Sequence, residues 1–305
     1  MIVVVCPGQG SQAPGFLTPW IAEERFNSQL QSISESVGID LVKHGTVSDA
    51  DTIRDTAVAQ PLIVAAGLLT LSALLEDRRD RIGGVAGHSV GEVTAATAAG
   101  ILSDADAMTL VRERGVAMAQ AAAVTKTGMS AVIGGDEPEL LAKLETLGLS
   151  PANFNGGGQV VVAGELAALD ALKNDPPAGA RVIPLQVAGA FHTRYMAPAV
   201  EHLRDVAATL EKHEPALPIW TNNDGSAVTS GTRFIELLVG QVSSPVRWDK
   251  TMESFAAAGV TGIIEVAPAG ALVGLAKRGL KGVQTVAVKT PDDLAAAFAL
   301  IDGNS

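Results

Sequence analysis

The sequence predicts an α/β fold: a large domain on a parallel sheet, with a small ferredoxin-like α+β subdomain inserted into it. Three observations carry that prediction. Residues 2–6, Ile-Val-Val-Val-Cys, are a continuous apolar run dominated by β-branched side chains, the pattern of a strand covered on both faces. Residues 87–91, Gly-His-Ser-Val-Gly, stand between a short apolar stretch and an Ala-rich one, a strand–turn–helix junction with a serine at its apex. From residue 127 the pattern runs strand, helix, strand, strand, helix, strand, the ferredoxin-like order.

The composition sets the bounds. The chain has 305 residues, 47% hydrophobic but only 4% aromatic, so the core must be mostly Ala, Val, Leu and Ile. The length suits one large domain with an insert, or two domains. The single cysteine, Cys6, excludes an internal disulfide and fits a reducing cytoplasm, the expected location. Five histidines and one cysteine offer no metal-ligand cluster. The N-terminal apolar run is too short for a signal peptide and lacks a basic flank, and no apolar run is expected to be long enough to span a bilayer. A net charge of -11 argues against general nucleic-acid binding. An acidic partner must therefore find a local basic patch.

The elements follow in order. Strand 2–6 ends in Pro7-Gly8-Gln9-Gly10-Ser11-Gln12. This loop lacks the lysine and spacing of a phosphate-binding loop; it reads as backbone N–H groups offered to a site, or as a plain strand-to-helix turn. Residues 15–50 mix helix and loop. Residues 55–76 are apolar at helical spacing, with Pro61 suited to the first turn, and read as a core helix. Residues 82–86 read as a buried strand and 92–99 as the helix after the elbow. Ser103 and Asp104 open the next helix, which runs to about residue 122. Arg114 lies three and four residues from Val111 and Met118, on or beside the apolar stripe, and so must find an anion, either an internal carboxylate or a bound one. Arg112 points elsewhere as a solvated charge.

Within the insert, 128–133, 152–155, 159–163 and 181–187 read as strands, and 137–147 and 165–173 as helices. Beyond it, 217–221, 262–266 and 285–288 read as strands, and 271–280 and 292–301 as helices, continuing the parallel sheet. The domain division is 1–124 with 190–305, and 125–189.

The chemistry gathers at two places. The glycines flanking Ser89 permit a sharp turn that raises the serine at the edge of the sheet, under the positive end of a helix, where an oxyanion is favoured. Among the histidines, His44, His202 and His213 have polar surroundings, and His88 packs inside the elbow. His192, after the turn at Gly189, is the best general-base candidate.

These pieces together resemble the malonyl-CoA:acyl carrier protein transacylase family of fatty acid synthesis. The motifs run nearly the whole chain: Pro7 to Gln12, Ala59-Gln60-Pro61, Gly87 to Glu92, Arg114-Gly115 with Met118, Thr127-Gly128-Met129, Asn153-Phe154-Asn155, Gly189-Ala190-Phe191-His192, Asn222-Asn223, Ser244 to Trp248 and Glu265 to Pro268. The resemblance implies a hydrolase-like large catalytic domain. It implies Ser89 as nucleophile and His192 as base and then acid. The amides of Gln9 and Val90 form the oxyanion hole, and Arg114 takes the malonyl carboxylate. Gln241 orients His192 through its backbone carbonyl, so no buried Asp is needed. Gln60, Met118, Phe191 and Asn155 complete the substrate site. Ala190-Phe191-His192 looks like the malonyl-selecting variant, with Phe191 filling the space of a methyl branch, worth roughly 1–3 kcal/mol of discrimination. The expected partners are malonyl-CoA and an acyl carrier protein, with no resident cofactor beyond coenzyme A as substrate carrier, no metal, no membrane, no nucleic acid, and a monomeric chain. Lys126, Arg194, Lys277, Arg278 and Lys281 are expected to form a basic rim for the acidic carrier.

Two rivals stay open at this level. An α/β-hydrolase esterase shares the elbow, though its usual order is Ser, acid, His with a His-Gly-Gly-Gly loop, and no such loop is present. A non-enzymatic acyl-binding subunit would bind without forming a covalent adduct. Beside these two rivals stands a closer cousin, the malonyl-transferring subunit of a malonate decarboxylase, which differs only in the carrier protein it accepts.

Overall fold

In the computed structural model, which describes residues 1–303, the strands fall into two sheets. In chain order they are β1 (Ile2–Cys6), β2 (Gly84–Gly87), β3 (Thr127–Ile133), β4 (Ser150–Gly156), β5 (Gln159–Glu165), β6 (Arg181–Leu185), β7 (Ile219–Trp220), β8 (Ala227–Val228), β9 (Val246–Arg247), β10 (Gly262–Glu265) and β11 (Gln284–Ala287).

The larger sheet has the order β11-β10-β1-β2-β7-β8. Its pairs are parallel except β7 with β8. All five residues of β1 are buried, as expected of a strand covered by helices on both faces. Its register with β2 pairs Cys6 with Gly87. The loops after these strands therefore leave the sheet side by side at its C-terminal edge, where ligands bind in open α/β sheets.

The second sheet has the order β6-β3-β5-β4-β9. β3 to β6 pair antiparallel, and helices Glu137–Leu147 and Leu166–Asn174 lie between them in sequence. The fifth strand, β9, comes from beyond residues 125–189 and pairs parallel to β4. Arg247 of β9 also donates its N–H to the Asn222 carbonyl at 2.8 Å, so this short strand ties the small sheet to the turn after β7. Gly156, Gly157 and Gly158, at the β4–β5 turn, all have φ between 58° and 74°. Three consecutive left-handed residues explain three consecutive glycines.

The helix Thr56–Leu74 corrects the expectation about membrane spans. Its 19 residues are long and apolar enough by length and composition to cross a bilayer, yet most of them are buried inside the protein. It is apolar all round because it is packed all round. The pattern assigns no element between 222 and 261, yet helices Gly231–Gln241 and Trp248–Ala257 lie there. The elbow strand lies later than residues 82–86, ending at Gly87 itself, because the glycine is held in the ladder by its register with Cys6.

Candidate active site

The turn between β2 and the helix Gly91–Ala98 holds Ser89 at φ 56°, a conformation that costs a non-glycine residue on the order of 1–3 kcal/mol. Its surroundings enforce it. The Ser89 N–H donates to Asn222 Oδ1 at 2.7 Å, Gly91 N–H to the His88 carbonyl at 3.0 Å, and Glu92 N–H to the Ser89 carbonyl at 2.9 Å. A Cβ on Gly87 would lie 2.0 Å from the Gly91 carbonyl carbon, and one on Gly91 would lie 2.1 Å from the Cys6 oxygen. Those contacts are why the glycines sit two positions either side of the serine.

His192, reached 103 residues later, places Nε2 at 2.7 Å from Ser89 Oγ. Its own φ is 60°, and its N–H donates to the Val242 carbonyl at 3.1 Å. Nδ1 lies 3.0 Å from the Gln241 carbonyl oxygen. A carbonyl only accepts, so Nδ1 carries the proton and Nε2 faces the serine hydroxyl as acceptor. Burial, then the nearby Arg114 charge, push the His192 pKa down to about 3. The ring is therefore neutral across the physiological range, with a lone pair ready for the serine proton.

That shift has a consequence for stability. Between pH 6.5 and about 3 the unfolded chain protonates this histidine and the folded chain does not. The contribution is fully present above pH 6.5 and is lost as pH falls through that window. His192→Gln is expected to flatten the acid limb of the melting temperature against pH. An unchanged slope in thermal scans from pH 7 to pH 4 counts against the buried neutral ring.

Arg114, on the helix Asp104–Val124, is 1% exposed. Among the described residues its acceptors are all neutral oxygens: Nη1 donates to Gln60 Oε1 at 2.7 Å, and Nη2 to Gln241 Oε1 at 3.2 Å and to Ser89 Oγ at 3.3 Å. Nε is buried without a partner. Burial lowers its pKa to about 10, against the pull of Glu92, so it remains a cation at neutral pH. Of the two anions open to it on sequence grounds, no internal carboxylate stands within ion-pair distance among the described residues. A buried guanidinium beside a nucleophile, with no anion of its own, is a seat for a ligand carboxylate.

The remaining predicted residues gather around this centre. Gln9 and Val90 line the same cleft, of about 710 Å³. Their backbone N–H groups take no internal acceptor among the described residues. Gln60 donates to Met118 Sδ at 3.4 Å, and Met118 and Phe191 line the cleft wall. Asn155, on β4, accepts from His88 Nε2 at 2.9 Å and thereby holds the elbow against the small sheet. Of the five residues expected at the basic rim, Arg278 lines the cleft itself, and Arg54, not foreseen, does so too. Arg194 instead lies over its own neighbour Tyr195.

Sequence reasoning quoted Glu92 and Asn222 in motifs but gave them no task. Both are buried beneath Ser89 and hydrogen-bonded to each other, Asn222 N–H to Glu92 Oε1 at 2.7 Å. The available signal was a lone carboxylate on an otherwise uncharged helix, which must be paired when buried.

Comparison with known proteins gives the family. The family model described as acyl transferase domain matches residues 3–291. The chain is 48% identical over 298 residues to the malonyl CoA-acyl carrier protein transacylase of Mycobacterium bovis, covering 96% of this chain and 98% of that one. It superposes on the crystal structure of MCAT from Mycobacterium tuberculosis with a TM-score of 0.94 at 47% identity, covering 97% and 99% of the two chains. It also superposes, with a TM-score of 0.90 at 31% identity over 97% and 98%, on a malonyl-transacylase solved in complex with a type II PKS acyl-carrier protein.

Proposed function

The chain belongs to the acyl transferase domain family, and from that premise we propose that it moves the malonyl group of malonyl-CoA to the phosphopantetheine thiol of an acyl carrier protein, supplying fatty acid chain elongation. The observation that carries the reading is the serine hydroxyl between a neutral imidazole at 2.7 Å and an unneutralised guanidinium at 3.3 Å. One side of the serine has a base. The other has a seat for the free carboxylate that distinguishes malonyl from acetyl.

The transfer is ping-pong. Ser89 Oγ attacks the thioester carbonyl as His192 Nε2 takes its proton. The oxygen that becomes negative points at the Gln9 and Val90 amides, and losing one such donor costs about 3 kcal/mol. Collapse breaks the C–S bond, the imidazolium returns its proton to the coenzyme A thiolate, and a malonyl ester remains on Ser89. The carrier thiol then repeats the sequence in reverse. The Gln241 carbonyl keeps Nδ1–H oriented throughout and accepts from the imidazolium when it forms.

Malonyl also tunes the base. In the free protein the Arg114 charge is the second cause of the low His192 pKa. A malonyl carboxylate paired with Arg114 cancels that charge and raises the basicity of Nε2 as attack begins. The same ion pair holds the acyl group and excludes water from the attack position, favouring transfer over hydrolysis. Coenzyme A enters only as carrier of the substrate, and one chain supplies every catalytic group.

The test is mass. Mixing the protein with malonyl-CoA should add one malonyl group, and adding carrier protein should remove it to the carrier. A protein that binds malonyl-CoA without a mass increase sinks the covalent reading. At the cleft mouth, Arg278→Glu is expected to raise the apparent KM for carrier protein several-fold at low salt, with kcat nearly unchanged, since exposed charges act mainly on association. Equal KM values would place the docking face elsewhere.

A further inference from the structure

The helix that follows the nucleophile carries one carboxyl group, Glu92, 1% exposed beside Val93, Ala95 and Ala96. No step of the transfer uses it. Its oxygens each accept one N–H: Oε1 from the Asn222 backbone at 2.7 Å, Oε2 from Gln241 Nε2 at 2.6 Å. The directions of these bonds dictate the rest of the array. Gln241 Nε2 also donates to Asn222 Oδ1 at 2.9 Å. With its nitrogen so placed, Gln241 must turn Oε1 toward Arg114 Nη2, from which it accepts at 3.2 Å. Asn222 presents Oδ1 to the Ser89 N–H and donates from Nδ2 to the Gly87 carbonyl at 2.6 Å. Each amide has one orientation in which donor meets acceptor, and a buried array of this kind tolerates no partial satisfaction.

We propose that Glu92 is a positioning residue of the malonyl seat: by accepting on both oxygens it sets the direction of the Gln241 amide and so aims the Arg114 guanidinium at the acyl group on Ser89. The inference rests on the reading of Arg114 given under Proposed function. Burial pushes the Glu92 pKa up to about 8, against the Asn222 backbone N–H, the Arg114 charge and the Thr221 hydroxyl. The role survives either protonation state, because each carboxyl oxygen keeps a lone pair for its N–H.

An amide in place of the carboxyl breaks the array by symmetry of donors. The Asn222 backbone N–H cannot turn, so Glu92→Gln must give it the amide oxygen and direct the new NH2 at Gln241 Nε2, donor on donor. Rotating Gln241 relieves that clash and turns its own NH2 on the Arg114 guanidinium. The guanidinium is displaced although neither Arg114 nor Ser89 has changed.

The experiment compares malonyl-CoA with acetyl-CoA as donors, for parent, Glu92→Gln, Arg114→Ala and the double variant, with melting temperatures alongside. The expected result for Glu92→Gln is a folded protein whose kcat/KM for malonyl falls on the order of a hundredfold, mostly through KM, while acetyl falls by only a few-fold. In the Arg114→Ala background the malonyl-selective part should vanish. Should Glu92→Gln not fold, Gln241→Met removes the side-chain amide while keeping the carbonyl that holds His192, and the same selective loss is expected. Equal losses for both acyl groups in the folded variant overturn the role of Glu92. If Arg114→Ala itself is unselective, the seat reading falls first and this inference with it.

Discussion

Ser89→Ala is expected to abolish the malonyl adduct and to cut malonyl transfer by about four orders of magnitude or more, the loss typical of removing a nucleophile that acts as a unit with its base. The size of the effect follows from geometry. The hydroxyl stands 2.7 Å from His192 Nε2, and the elbow strain at φ 56° is spent holding it there. Among the described residues no other hydroxyl is hydrogen-bonded to that imidazole, so nothing substitutes. His192→Ala should cost a comparable factor, because the pair shares one proton transfer and the losses are not additive. Ser89→Ala should leave folding intact, since the Ser89 N–H bond to Asn222 is a backbone bond. Intact-mass measurement after exposure to malonyl-CoA separates the cases: an adduct on the alanine variant would place the nucleophile elsewhere.

Arg114→Ala is expected to lower malonyl transfer by about a hundred- to a thousandfold while acetyl transfer changes far less. A buried charge-assisted bidentate pair supplies about that much, and acetyl has no carboxylate to lose. Lysine should not rescue it, since a point charge cannot span the malonyl carboxylate in the guanidinium's planar fork. A second readout is independent of the donor. With the charge gone, His192 loses one of the causes that hold it near 3 and rises, though burial still keeps it below 6.5. The protonated, inactive imidazolium then appears at higher pH, so the acid limb of the acetyl-transfer profile should move upward in the variant. Equal loss for the two acyl groups, with an unmoved acid limb, refutes both roles given to Arg114.

Much of the site was legible before any coordinates, for local reasons. The Gly-His-Ser-Val-Gly spacing reads as an elbow because a side chain at either glycine collides with backbone about 2 Å away. The β-branched run at residues 2–6 reads as a central strand because only a strand covered on both faces has no polar alternation. The resemblance then carried roles to His192, Arg114 and Gln241, and the fold brings the three together around Ser89. The helices Gly231–Gln241 and Trp248–Ala257 were not legible. The span effect of the helix Thr56–Leu74 was missed as well, because burial by neighbours and burial by lipid leave the same composition.

What the chain's order of residues determined by itself is the strained turn at Ser89 and the alternation of strands and helices, since both follow from steric and hydrophobic rules acting within a few residues. What only the tertiary structure decided is the company kept by buried charge. Whether Arg114 has an internal anion, which way the Gln241 amide faces, and that Glu92 lies at the root of the array depend on groups 54 to 149 residues apart in the chain. Hydrogen bonding has direction and short reach, and no periodicity along a sequence reports which distant donors will meet which acceptors once water is excluded.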